Sequence, residues 1–184
     1  MDLPYWALDL RHPLSAEAEG PPVHPDSPPP WLIVRYQFPA RKASPPVKLT
    51  WYHGKRRPEF LDPELLKKWA SGVLFIGQNG KMLLADYNRR LLLPETEFKE
   101  FVPPQPFIPD SIGHHQEWIR ACKTGEPTSC PFDYSGPLSE AALLGNVAFR
   151  AGEKIEWDPK KLRATNCPKA EEFIQHRYKK GWKI

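Results

Sequence analysis

Asp133 to Gly152, DYSGPLSEAALLGNVAFRAG, is the stretch whose reading decides the fold, because it is the one segment that reads without ambiguity as a buried helix. Ser135 offers an oxygen to free backbone N–H groups, Pro137 suits a first turn that needs no N–H, and Gly152 suits a left-handed exit. Between them Leu138, Ala141, Leu144, Val147, Ala148 and Ala151 recur at steps of three and four. That spacing makes a core-facing stripe. Its small members, with Ala142 and Gly145, let a neighbouring layer approach closely, and a sheet is the expected neighbour because strand-like segments lie on both sides.

Working outward, Trp31 to Phe38 (WLIVRYQF) alternates apolar Leu32, Val34, Tyr36 and Phe38 with Ile33, Arg35 and Gln37, and Val47 to Tyr52 alternates as well. These predict neighbouring antiparallel strands joined around Pro45-Pro46. Gly72 to Ile76 and Lys81 to Asp86 flank Gly77-Gln78-Asn79-Gly80, which is hairpin chemistry. Leu91 to Leu93 adds a short strand, and a proline-rich connection from Pro103 to Pro109 leads to the helices. SAEAEG, from Ser15 to Gly20, is polar and capable of forming a strand. Helices are expected over 2–10, with Leu3, Trp6, Ala7 and Leu10 along one side, and over 63–70, capped by Asp62. Two more are expected, over 111–124, capped by Asp110 or Ser111 with Ile112, His115, Ile119 and Cys122 inward, and over 168–178. Lys154 to Asp158 reads as a strand. Strands first and helices afterwards predict an α+β fold, a mainly antiparallel open sheet with helices packed on one face, in a single domain over 1–184.

Composition narrows the function classes. A net charge of +4, with dispersed bases, is too mild for a nucleic-acid footprint, so no nucleic-acid partner is expected. No run approaches the roughly 20 apolar residues of a membrane helix, and the three cysteines form no CxxC pair. A soluble, cytoplasmic chain with reduced thiols and no membrane partner is expected. The 23 prolines fall between elements rather than inside them, and seven Trp and nine Phe supply a core, which predicts ordered, extended connections.

The residues GHHQEWIRACKTGEPTSCPFDYSGPLSEAALLGNVAFRAG, followed by KIEWDPKKLRATNCPKAEEFIQHRYKKGW, resemble the C-terminal domain of bacterial Gfo/Idh/MocA-type oxidoreductases. WYHGKRRP and the opening MDLPYWALDL agree with that resemblance. In the family an N-terminal Rossmann domain carries the glycine-rich dinucleotide site and a Lys-Pro motif with the catalytic lysine. This sequence contains neither G-x-G-x-x-G nor Glu-Lys-Pro. The resemblance therefore implies a truncated, stand-alone substrate and oligomerisation domain, started from an internal methionine, without NAD and without hydride transfer. It also implies a homo-oligomer, most simply a dimer, joined through the sheet. Asp2 corresponds to the family's aspartate after the active-site histidine. Asp2 and His53 are the candidate catalytic residues, and Tyr52, Tyr87 and Asn88 are candidates for holding a sugar or polyol substrate.

A second class is open from the residues themselves. His24 and Asp26 stand two apart in an extended loop, which places both side chains on one side, and a metal ion can use such a pair. His114 and His115 are adjacent on a helix, so they are expected about 100° apart and poorly placed to share an ion. With His53, these residues are the candidate ligands for Zn²⁺ or another divalent metal. A His- and Asp-lined cleft at an oligomer interface would then activate water against activated esters or phosphotriesters.

Overall fold

The structure, a computed structural model, describes residues 1–42, 44–69, 71–175 and 178–182. The chain divides into two compact units, one comprising Met1–Lys67 with the chain from Gly136 onward, the other Lys68–Ser135.

The first unit is built on a five-stranded antiparallel sheet of β1 (Ser15–Glu19), β2 (Leu32–Phe38), β3 (Val47–His53), β7 (Ile155–Asp158) and β8 (Arg163–Ala164), in the order β3-β2-β1-β7-β8. The fold is α+β, as the sequence predicts. On β2 the alternation divides the residues as expected: Leu32, Val34, Tyr36 and Phe38 are buried and Arg35 and Gln37 exposed. SAEAEG forms β1, and it is central rather than peripheral. Ala16 and Ala18 lie opposite Tyr36 and Val34, while Glu17 and Glu19 lie opposite Arg35 and Ile33. Small residues are needed on the inner side because a helix lies close above it.

That helix is α4 (Phe132–Ala151), which buries Ala141, Leu144, Gly145, Val147, Ala148 and Ala151. A side chain at Gly145 would meet Tyr36 Oη and the two methyl carbons of Val34. Glycine there sets how near the helix comes to β2. The helix begins a turn earlier than the sequence suggests. Ser135 donates its hydroxyl to Pro131 O instead of capping, and Pro137 lies within the helix. Helix α1 (Asp2–Ala7) is shorter than expected, because Asp9 adopts φ 48°. It buries Pro4 and Tyr5 rather than Trp6, which is 60 % exposed. The Tyr5 ring meets Phe38 edge to face at 5.6 Å, and its hydroxyl donates to Arg11 O at 2.7 Å. Burial holds the Tyr36 phenol protonated well above the ordinary tyrosine range.

The expected helix over 168–178 is a 3-10 turn (Pro168–Ala170) followed by one turn of α5 (Glu171–Ile174), with Gln175 already extended. His176 and Arg177 lie outside the described residues, as does Ala70 at the end of the expected second helix, which forms as α2 (Pro63–Lys68). Asp62 Oδ1 accepts the Glu64 N–H at 3.0 Å there.

The second unit contains a three-stranded antiparallel sheet of β4 (Val73–Ile76), β5 (Met82–Ala85) and β6 (Arg90–Leu93), in that order. The Gly77–Gly80 tetrapeptide turns the first hairpin, with Gly77 N donating to Lys81 O at 2.8 Å. Its helix α3 (His114–Thr124) departs from expectation on two points. Gly113 occupies the cap position, its N–H given to Ser111 Oγ, and no side chain caps the helix. None of its residues is buried: Ile112, Ile119, His115 and Cys122 are exposed. Amphipathic spacing supplied an apolar side, and the described chain does not cover it.

Candidate functional site

Five of the sequence candidates stand in the first unit. Asp2 is exposed in the first turn of α1. His24 and Asp26 are exposed in the loop before β2, where His24 Nδ1 accepts the Asp26 N–H at 3.1 Å, so one imidazole nitrogen is already engaged by the backbone. Tyr52 and His53 end β3 on opposite faces of the sheet, Tyr52 opposite Ile33 and His53 opposite Leu32. The other four stand in the second unit. Tyr87 and Asn88 ride the turn after β5, where Asp86 Oδ1 accepts the N–H groups of Asn88 at 2.8 Å and Arg89 at 2.7 Å. Those backbone bonds, the Asn88 one first, and the Arg89 guanidinium pull the Asp86 carboxyl below its ordinary range.

His114 and His115 do not splay as helical spacing suggests. Their rings lie 4.1 Å apart at 44°. They open the first turn, where no preceding turn restricts the side-chain rotamers, so the rings are free to converge. Among the described residues no three His, Cys, Asp or Glu side chains gather as metal ligands would.

Two features of the first unit carry more chemistry than these residues, and the first joins segments far apart in sequence. His12 Nδ1 lies 2.8 Å from Glu140 Oε1, and Trp157 Nε1 donates to that same oxygen at 2.7 Å. An indole N–H can only donate, so Glu140 Oε1 is an acceptor, and the matching arrangement at His12 is an Nδ1–H donor. The neutral imidazole then presents Nε2 as a lone pair, and Nε2 has no hydrogen-bond partner among the described residues. Glu140 is 17 % exposed and His12 39 %, so the carboxylate is sheltered and the imidazole reaches water. Replacing Glu140 with alanine strips the acceptor from a buried indole, and a loss of about 1–3 kcal/mol is expected in urea unfolding. Glutamine keeps a carbonyl for Trp157 and is expected to lose less; equal stability of the alanine variant and the parent chain would show that the contact carries nothing.

The second feature is the sheet face turned away from α4. Directly opposed residues share a face, so this side carries Glu19, Ile33 and Tyr52 in one row, Glu17, Arg35 and Thr50 in the next, and Ser15, Gln37 and Lys48 in a third. Glu156 stands opposite Ser15 and pairs with Lys154 at 2.6 Å. Arg35 Nη2 reaches Glu19 Oε2 at 2.8 Å, and that bond pushes the guanidinium further up from its already high value. Arg35, Gln37, Lys48, Thr50, Glu17 and Glu19 are exposed. Acids occupy β1 and β7 and bases β2 and β3, with Lys154 just before β7 and Arg163 on β8 opposite Asp158. No helix among the described residues is long and apolar enough to cross a bilayer.

Sequence reasoning named neither feature in full. Residues 12, 140 and 157 are distant in the chain, and nothing local links them. The strand alternation did contain the outer rows. Comparison with family models and with curated proteins finds no match to this chain.

Proposed function

We propose that this chain is a substrate and oligomerisation module of the Gfo/Idh/MocA type that does not itself transfer hydride, and that it forms a homodimer through the outer face of its five-stranded sheet. The observation that carries this reading is the charge layout of that face. Arg35 and Lys48 stand on β2 and β3, Glu17, Glu19 and Glu156 on β1 and β7. A two-fold axis through the sheet lays the basic half of one copy over the acidic half of the other, which is the self-complementarity an isologous interface requires. Ile33 and Tyr52, half-buried in the same face, add apolar contact area at its edge.

The absence of a glycine-rich phosphate cradle from the sequence supports the other half of the reading. Titrating the chain with NAD(H) is expected to give no saturable quenching of its tryptophans. Saturable quenching at micromolar cofactor would contradict the proposal.

One observation favours a second reading, hydrolysis of activated esters or phosphotriesters. A histidine whose Nδ1–H is held by a carboxylate has its Nε2 oriented either to take a proton from water or to bind a metal ion. Turnover of chromogenic esters or phosphotriesters that disappears with chelator and returns with Zn²⁺ supports the metal form of this reading. Turnover indifferent to chelator but lost in His12→Gln supports proton transfer by the imidazole alone. No turnover under any condition contradicts both.

A further inference from the structure

The basic run Lys55-Arg56-Arg57 follows β3 almost directly, and contacts within the first unit fix how it is presented. Gly54 and Lys55 have φ of 65° and 68°, and Arg56 N donates to His53 O at 3.4 Å. Positive φ at both central residues makes this a type I′ turn. The turn is anchored on the chain just before β2. A β-carbon on Gly54 would strike Pro30 O and crowd the Trp31 α-carbon, so only glycine fits there. On the far side Arg57 precedes Pro58, which drives it to extended geometry and stiffens the exit.

This turn displays an arginine that is oriented but has nothing to bind. The Arg56 guanidinium lies over the Trp31 ring, 4.0 Å from its centroid. Stacking occupies one face of the group and leaves the N–H donors around its edge open. Among the described residues those donors make no hydrogen bond and no ion pair, and the neighbouring Lys55 ammonium makes none either. Elsewhere in the unit Arg11 and Arg35 reach carboxylates, and Arg41 reaches the carbonyls of Leu8 and Pro39. Arg57 turns its Nη1 back to Arg56 O at 2.7 Å and stands outside the site.

The donor set decides the ligand class. A planar fork of N–H groups matches two oxygens of a carboxylate or a phosphate, and an adjacent ammonium adds a point charge. An arginine and a lysine together balance a phosphomonoester, which carries about −1.5 to −2 at neutral pH, better than they balance a singly charged carboxylate. A nucleic acid needs cations spread along its backbone, and the bases of this chain are dispersed. We propose that Arg56, held flat on Trp31, and Lys55 bind a phosphate group, free or carried by a small ester. The site rests on neither reading above, because it uses neither the charged rows of the sheet nor the His12–Glu140 pair.

Calorimetric titration of the full-length chain with glycerol phosphate tests this, in low-salt buffer free of phosphate and sulfate. Saturable binding is expected, weakened about tenfold or more in Arg56→Ala. Arg56→Lys keeps the charge and loses the fork, and is expected to weaken binding as well. Trp31→Leu leaves both cations and removes only the stack, and a severalfold loss is expected. Arg90→Ala, at an exposed arginine of the second unit, is expected to change nothing. Arg56 is exposed, and thermal melts check that each variant folds. Inorganic phosphate and glycerol are titrated alongside. Equal affinity for inorganic phosphate supports the site with the free ion as ligand, and tighter binding of the ester supports it with a ligand whose organic part adds contacts. Absence of saturable binding, glycerol bound as tightly as its phosphate, or a loss in Arg56→Ala no larger than in Arg90→Ala overturns the site.

Discussion

Phe38→Ala is expected to lower the free energy of unfolding by about 3–5 kcal/mol, the range for truncating a fully buried aromatic side chain. Phe38 is 1 % exposed, packs edge to face on Tyr5, and lies 6.3 Å from the Tyr36 ring. The cavity would open at the place where α1, β2 and the start of the buried part of α4 meet, since the Tyr5 hydroxyl also lies 3.3 Å from Pro137 O. Backbone constraints on all three elements limit collapse into the space, so the cost belongs toward the upper end. Urea unfolding followed by tryptophan fluorescence measures it. A loss below about 1 kcal/mol would mean that the Tyr5–Phe38 contact is not part of the folded core.

Gly145→Val is the opposite perturbation at the same layer and is expected to cost about 2–3 kcal/mol through overpacking. The new side chain meets Val34 Cγ1, 3.0 Å from its β-carbon, as well as Tyr36 Oη. Gly145→Ala is a gentler case. Its better helix propensity, worth about 1 kcal/mol, offsets part of the clash. Because the nearest obstacle is a hydroxyl oxygen, Tyr36→Phe is expected to relieve the alanine variant, and a double-mutant cycle should report coupling between positions 36 and 145. Additive effects would place α4 farther from β2 than the structure does.

These two positions show what the sequence made legible. The stripe on α4 repeats every three or four residues and β2 alternates strictly, so the two buried faces could be read separately and then matched, and the packing of one on the other followed from the small residues between them. The Gly-Gln-Asn-Gly hairpin was legible because its turn chemistry is local. β1 was harder, since alanine and glutamate have weak strand preference. It is a strand because its neighbours on both sides supply pairing partners, which is tertiary context. α3 was misread in its burial, though not in its helicity. Spacing fixes which residues share a side, and says nothing about whether anything lies against that side.

The site divides in the same way. Tyr52 and His53 could be placed at a strand end from alternation alone, and the charged outer rows were implicit in β2. The His12–Glu140–Trp157 cluster was not readable, because a hydrogen bond between residues 128 apart in sequence leaves no local pattern. Convergence of His114 and His115 depended on rotamers, which helical geometry alone does not set.

Sedimentation equilibrium of the parent chain beside the Arg35→Glu, Lys48→Glu variant tests the central claim most directly. The variant replaces the two bases of β2 and β3 by acids beside Glu17 and Glu19, so that the charge complementarity between the two halves of the face is lost while only exposed side chains are altered. The account predicts a dimer for the parent chain and a dissociation constant raised at least tenfold for the variant, about 1.4 kcal/mol of association energy. A monomeric parent chain, or a variant that dimerises as tightly as the parent, would contradict association through the sheet.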